Sequence, residues 1–274
     1  MPWTEITRAQ YRRDGLRFAS DMTDAEWALI ARRLPPRRRL GRPRTTDLRR
    51  IIEAILYVLT TGCQWRALPG DFPPRSTVQG YFYAWRDSGW WQRIVTSLVR
   101  QARRAMGRKP TPTAAVIDSQ SAPTTESGGP RGFDAGKRVH GRKRHIVTDT
   151  NGLLLAVRVH PANVQDVHGA VPLLERLRTK FPKLRHVFAD RIYRGDQLVR
   201  AVAHCGPWAI DIVERPAGVK GFQLLPRRWV AERTFAWLGR CRRLAKDFEA
   251  SIASATAWLL VAHLRLLTRR LAKA

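Results

Sequence analysis

The amino-acid sequence predicts an α/β protein, a mixed sheet flanked by helices and preceded by an all-α module. Three observations carry this reading. The first 106 residues hold only helical periodicities, separated by Pro- and Gly-rich breaks. After the linker GRKPTPT, short apolar runs begin to alternate with helical stretches. Among them, Asn151-Gly152 between two strand-like runs is a strong hairpin signal.

The elements follow in order. Residues 1–20 read as a tail, polar at its start (MPWTEITRAQYRRDG) and without a secretory signal. Thr23 and Glu26 form a capping-box pattern, and Trp27, Ile30 and Leu34 supply a helical stripe that Pro35-Pro36 ends. The basic loop RRRLGRPR comes next. Ile51, Ile52, Ile55, Leu56 and Leu59 predict a helix from about Asp47 to Thr61, stopped by Gly62. A third helix from about Ser76 carries Val78, Phe82, Trp85 and Trp90, and a fourth covers Trp91 to Met106. Short links and an Arg-bearing third helix resemble a helix-turn-helix module over 21–106. The same pattern also fits a small bundle that only packs on the next domain.

Beyond the linker, Ala114–Asp118 reads as a buried strand, followed by the loop SQSAPTTESGGPRG. Arg144–Asp149 and Leu154–His160 form the hairpin. Helices over His168–Lys180, Asp196–Ala203 and Arg227–Lys246 then alternate with strands His186–Asp190 and Ala209–Val213. Residues 112–250 thus make a sheet domain, and 251–274 a C-terminal helix. Its apolar stretch ATAWLLVAHLRLL is too short and too interrupted to span a membrane.

Charge narrows the partner. With 50 Lys+Arg against 22 Asp+Glu, the formal net charge is +28 and the pI about 11.6. Basic residues occur along the whole chain, which favours a polyanion over a membrane surface, since there is no lipidation signal or amphipathic N-terminal anchor. An apolar fraction of 44% excludes global disorder. Cys63, Cys205 and Cys241 are scattered, odd in number and without zinc spacing, as expected of reduced core or surface thiols in a cytoplasmic protein.

Against this basic background, three acids stand out. Asp118 closes the run AAVID, Asp190 closes HVFAD, and Glu232 lies in the helix-patterned RRWVAERTFAWLGRCRR. Ligands of α/β sheets gather beyond the carboxyl ends of strands, where both aspartates fall. At 100° per residue, Val230, Trp237, Leu238, Cys241, Leu244 and Ala245 share an apolar face. Glu232 points away from it, beside Arg228, Gly239 and Lys246; a surface pair with Arg228 is the bland alternative. Carboxylates beside a basic surface suit the holding of divalent metal against a phosphate. Other acids fit less well. Asp149 and Asp166 read as turn or cap residues, Asp134 and Glu126 lie in a loop, and Asp211 competes with Asp190 for a ligand role. His140, His145, His160 and His168 have no Cys partner and sit on different elements, so they read as polar positions or phosphate contacts rather than a zinc site.

The order of elements resembles the ribonuclease H-like core, and the three acids resemble the DDE triad of transposases. More narrowly, the chain is similar to bacterial insertion-sequence DDE transposases of the family numbered five. The segments that carry the resemblance are MTDAEWALI, GRPRTTDLRRIIEAILYVLTTGCQWRALPGDFP, AAVIDSQS, VHGRKRHIVTDTNGLLL, FADRIYRG and RRWVAERTFAWLGRCRRLAKDFE. The resemblance implies that Asp118, Asp190 and Glu232 are the catalytic residues and the ligands of two Mg²⁺ ions, with Mn²⁺ as a substitute. It implies an enzyme that binds the inverted repeats at the ends of its element, cleaves DNA and joins it to a target by in-line displacement, as a homodimer or larger synaptic assembly. A nuclease without joining activity and a non-catalytic DNA binder are the alternatives. The chain departs from the family pattern around the third acid, with Leu225 in place of a Tyr and Gly239 in place of a Lys, followed by Arg240. After Asp190, Arg191-Ile192 precede Tyr193 and Gly195 where small residues are usual.

Candidate DNA contacts complete the expectation. Lys137, Arg138, His140, Arg142, Lys143 and Arg144 form a dense basic run that reads as a phosphate clamp, or alternatively as a charged edge strand. Arg37, Arg38, Arg39, Arg42 and Arg44 fit backbone or minor-groove tracking. Arg75, Ser76, Gln79 and Arg86, with Thr77 and Tyr83 less central, fit base reading from the third helix. Arg228, Arg240 and Arg243 surround Glu232 in the chain.

Overall fold

The computed structural model describes residues 12–36, 44–205, 208–213 and 228–273. Four helices come first: α1 (Asp24–Ala31), α2 (Leu48–Thr61), α3 (Arg75–Asp87) and α4 (Trp90–Ala105). The Thr23 side chain accepts from Glu26 N–H, and the Glu26 carboxylate accepts from Thr23 N–H at 3.1 Å, so the capping box closes. Asp47 caps α2 by accepting from Arg49 N–H at 2.8 Å. Gly62 ends that helix in the left-handed conformation, φ 73°. Trp90 opens the fourth helix rather than closing the third, because Gly89 at φ 69° breaks the two apart.

The sheet has six described strands: β1 (Ala114–Pro123), β2 (Gly132–Asp134), β3 (Val139–Asp149), β4 (Leu154–Pro161), β5 (His186–Ala189) and β6 (Ala209–Ile212). Helices α5 (Asp166–Lys180), α6 (Asp196–Val202), α7 (Arg228–Gly239) and α8 (Ile252–Leu271) accompany it. β1 is central, antiparallel to β3 and parallel to β5, and β6 continues the sheet parallel to β5. β3 takes β2 on its outer edge at one end and β4 along the rest. This is the mixed, helix-flanked ribonuclease H-like sheet that the sequence predicts. Helix α8 packs against all four N-terminal helices and β4, and one apolar core runs from Met22 through the sheet to Leu267. The 251–274 segment therefore joins the helical module to the sheet, with Trp258 stacked on Phe82 at 4.4 Å.

Three elements differ from the sequence expectation, each for a physical reason. β1 extends five residues past Asp118, and β3 begins at Val139, so the stretch read as a loop is a long ladder from Ala115↔Asp149 to Pro123↔Gly141. Its inward residues are Ser, Lys and His rather than apolar, which hides the strand period. The hairpin connection spans residues 150–153 rather than two residues. Asp149 organises it, accepting from Asn151 N–H and Leu153 N–H at 2.9 Å each while pairing with Arg103 of α4. Finally, α7 stops at Gly239 instead of reaching Lys246, and a short 3-10 turn follows at Arg242–Leu244. Arg144 donates to the Leu244 and Lys246 carbonyls at 2.7 and 3.1 Å, which holds this segment in the turn.

The glycines of the helical module separate two effects. Gly62 has a left-handed backbone, and an added Cβ would meet Arg242 Cβ at 3.1 Å. Gly62→Ala is expected to destabilise by about 1–2 kcal/mol. Exposed Gly80, inside α3 with nothing within 4 Å of a Cβ, is the contrast. Gly80→Ala should stabilise by up to about 1 kcal/mol. Urea unfolding of both variants checks the pair.

Candidate active site

The three acids come from separate elements that one apolar cluster draws together. Val116 and Phe188 are register partners between β1 and β5, and they pack with Val230 and Ala231 of α7. Residues two apart in a strand share a face. Asp118 follows Val116 by two residues and Asp190 follows Phe188 by two, the latter in extended backbone at φ −74°, ψ 164°. Both therefore leave the sheet on the face that α7 covers, and both line one small pocket with Val116, Phe188 and Val213. The pairing of β1 with β5 ends at Val116↔Phe188, just short of the two carboxylates, whereas β3 pairs on past Asp118. Asp118 is thus mid-strand on one edge and at the strand end on the other.

Helix α7 delivers the third acid. Val230, Ala231, Thr234, Phe235 and Leu238 are buried, while Glu232 is exposed next to Ala231. Trp237 is half-buried, Ala245 is exposed, and Cys241 and Leu244 are buried beyond the helix end, so the apolar stripe is rotated from the expected one. The outward direction of Glu232 is as expected. Asp211, the competitor, lies opposite Phe188, two residues short of Asp190, and its carboxylate accepts from His186 Nδ1 at 3.0 Å.

Beneath Asp118, on the opposite sheet face, lies a buried polar network. Ser119 N–H donates to Asp118 Oδ1 at 2.7 Å, and the Ser119 hydroxyl bonds the Asp166 carboxylate. Lys143 donates to the other Asp166 oxygen at 3.1 Å. His145 Nε2 meets the Tyr193 hydroxyl at 2.6 Å and its Nδ1 meets His160 at 3.4 Å. Burial pushes the Asp166 carboxyl up, but Ser119 and Lys143 outweigh it and hold it below the ordinary carboxylate range. The Tyr193 phenol is raised well above its ordinary value, first by burial, then by the carboxylates of Asp166, Asp118 and Asp190. That ordering places Tyr193 within the field of both candidate aspartates. The sequence reading places Ser119 in a loop, Asp166 at a turn or cap and Tyr193 only in the motif after Asp190, and does not bring them together. The available signal was the every-second-residue spacing of Ser119 and Ser121, opposite His145 and Lys143.

The basic run is corrected by burial. Arg142, Lys143 and Arg144 are 0%, 4% and 5% exposed, too buried to clamp a phosphate. Arg142 pairs with Asp247 at 3.1 Å and donates to the Glu249 carbonyl at 2.7 Å. Arg243 is likewise turned inward, bound to Glu249 at 2.6 Å. A charged edge strand is also excluded, because β3 is interior. Arg86 is committed to Asp87 and Ser254, and Gln79 donates to the Tyr83 hydroxyl at 2.9 Å. Arg75, Lys137, Arg138, His140 and Arg240 are exposed, and Arg44 is half-buried. Arg37, Arg38, Arg39, Arg42 and Leu225 lie outside the described residues, as does the side chain of Arg228. His145 and His160 are core hydrogen-bonding groups, as the polar reading expects.

Among the described residues, no three His, Cys, Asp or Glu side chains are grouped to cage a metal by themselves. The donor set nonetheless suits Mg²⁺. That ion keeps several waters and takes one or two carboxylates plus substrate phosphate; Asp118 and Asp190 line one pocket, and Glu232 lies on α7, which packs over the same apolar cluster. Elsewhere, a cleft of about 880 Å³ opens between Gln64-Trp65 and the strand-end segment Thr124–Ser127, with His140, Lys246 and Phe248 on its walls.

A mixed sheet with carboxylates at neighbouring strand ends and on a covering helix defines a nucleotidyl-transfer type of scaffold. The chain belongs to the family described as "Transposase DDE domain", which matches residues 109–267. Residues 22–95 match "Putative transposase of IS4/5 family". A relative from Burkholderia cepacia, "Putative transposase for insertion sequence element IS402", is 37% identical over 116 residues, covering 40% of this chain and 54% of that protein. The similarity thus spans about half the relative's length. No solved structure matches. No described helix is long and apolar enough to cross a membrane.

Three measurements follow from how these charges are placed. Removing Arg142 strands Asp247, so Arg142→Ala should cost about 3–5 kcal/mol in urea unfolding. Lys137→Ala should leave stability within about 0.5 kcal/mol yet reduce the salt slope of DNA binding by about 1. Burial also pushes the His145 and His263 imidazoles from 6.5 down to about 3. Between these values the unfolded chain binds protons that the folded chain does not. Stability is therefore complete above 6.5 and falls as pH drops toward 3. Melting temperatures across that window should decline, and His145→Gln should flatten part of the slope.

Proposed function

We propose that this chain is an insertion-sequence transposase that binds the ends of its element, cleaves phosphodiester bonds there and joins the freed ends to target DNA. One observation carries the reading: Asp118 and Asp190 enter one pocket from neighbouring parallel strands, beneath the helix that bears Glu232. Family membership supplies the reaction class.

In this reading, Asp118, Asp190 and Glu232 hold two divalent ions, Mg²⁺ or Mn²⁺ in its place. Bound there, the ions supply Lewis-acid stabilisation at phosphorus and an acidified water. Each displacement is in line, first by water and then by a DNA 3′-hydroxyl, so no side chain of this protein acts as nucleophile. The carboxylates present hard oxygen donors at a fixed spacing, and Ser119 N–H holds the Asp118 carboxylate in one orientation.

Exposed basic and polar side chains seat the DNA. Lys137, His140 and Arg240 lie on the sheet domain, and Arg75 opens α3 of the helical module over 21–106, where Gln79 and Arg44 are further candidates. The large cleft has His140, Arg131 and Lys246 for phosphates and Trp65 and Phe248 for bases, the combination that single strands favour. Because two ends must be held at once, the working unit is a homodimer or larger, acting on the nucleoid in the cytoplasm.

The reading is tested by incubating the protein with Mg²⁺ or Mn²⁺ and DNA carrying the element's own ends. Joined product is expected from the native chain. Asp118→Ala, Asp190→Ala and Glu232→Ala should each lower cleavage on the order of a thousandfold, since metal-centred stabilisation is worth several kcal/mol, with DNA binding retained. Joining that survives any one of these changes rejects that residue's role. Cleavage without joining points to a nuclease, and binding without either reaction to a DNA-binding protein.

A further inference from the structure

Four consecutive residues of β3, Arg142, Lys143, Arg144 and His145, are buried in the interior of the sheet. Such a run is costly unless every member is paired, and well-packed apolar residues in its place are often equally or more stable. Its partners are therefore informative: they lie on α5 and on the segments that follow Asp190 and α7.

Alternation along the strand divides the work. On one face, Lys143 pairs with Asp166, and Asp166 takes the hydroxyl of Ser119, whose own N–H holds the Asp118 carboxylate. On the same face, His145 bonds the hydroxyl of Tyr193, and Tyr193 N–H donates to the Asp190 carbonyl at 3.0 Å. Gly169 of α5 fits against this pair so closely that a Cβ would lie 2.5 Å from His160 Nε2 and 2.7 Å from His145 Nδ1. On the other face, Arg144 and Arg142 hold the carbonyls of Leu244, Lys246 and Glu249, the segment that follows α7 and Glu232.

The geometry points to β3 as a lock that positions the three carboxylates for divalent-ion binding, with Lys143, Asp166 and Ser119 aiming Asp118, and His145 and Tyr193 aiming Asp190. These are positioning residues: none reaches the candidate ion site, and each acts through the backbone or hydroxyl next to an acid. The inference rests on the assignment of Asp118 and Asp190 as metal ligands.

Lys143 and Arg142 are too deeply paired to replace without unfolding risk, so the test uses Ser119→Ala and Tyr193→Phe, which each remove a single hydroxyl. Mn²⁺ binding to the whole protein is followed by the loss of free-ion paramagnetic signal, alongside thermal melting and kcat and KM on element-end DNA. Loss of a residue that orients a metal ligand weakens metal affinity by about 10–100-fold. That weakening is expected for both variants, with kcat lowered, KM for DNA unchanged and folding intact, while Ser119→Thr, which keeps the hydroxyl, retains Mn²⁺ affinity. Native Mn²⁺ affinity and kcat in both hydroxyl-deleted variants, whatever their melting temperatures, overturns the lock. Asp118→Asn separates the two failures. If it too binds Mn²⁺ normally, the ligand assignment falls and the lock with it. If it loses Mn²⁺ while Ser119→Ala and Tyr193→Phe do not, the lock alone is wrong.

Discussion

The antiparallel ladder between β1 and β3 is the constraint on which the rest of this molecule depends, because it runs well beyond the point where β5 leaves β1. Between Asp118 and Pro123, β1 is supported by β3 through pairs whose side chains are Ser, Gln, His, Arg and Lys. Such a ladder survives in a protein interior only if its charges are matched. Asp166, Asp134 and Asp247 provide the carboxylates, and backbone carbonyls take the remaining donors. A chain with few acidic residues thus commits several of them to its own basic core.

That commitment changes what the high positive charge means. The net charge of +28 is real, and it suits a polyanion partner. Arg142, Lys143 and Arg144 of the basic run, however, are structural. Surface cations such as Arg75, Lys137 and Arg240 stay exposed, and they come from both the helical and the sheet portions. Helix α8 connects these portions through Trp258 and its neighbours, so the two sets of cations are carried on one continuous core.

Much of the fold was legible in the chain because local rules decide it. Thr23 and Glu26 specify a cap through their own hydrogen bonds, Gly62 can end a helix where other residues strain, and apolar spacing outlines α2, α5 and β5. Asp118 and Asp190 stood out for the same local reason, a carboxylate closing an apolar run, and Glu232 by its place off the apolar face of a helix. Ser119, Asp166 and Tyr193 were not legible as a set, since their partners lie 23–48 positions away along the chain. The end of α7 was hidden too, because carbonyl capture by Arg144 comes from a hundred residues earlier.

What the sequence by itself determined is the alternation of elements, the polyanion-seeking charge and the identity of three carboxylates at strand ends and on a helix. Only the tertiary structure decided which charges face solvent and which hold the core. Charge is a property of a residue, but exposure is a property of its neighbours. Pairing β3 between β1 and β4 turned a basic run from an apparent surface into the interior of the sheet.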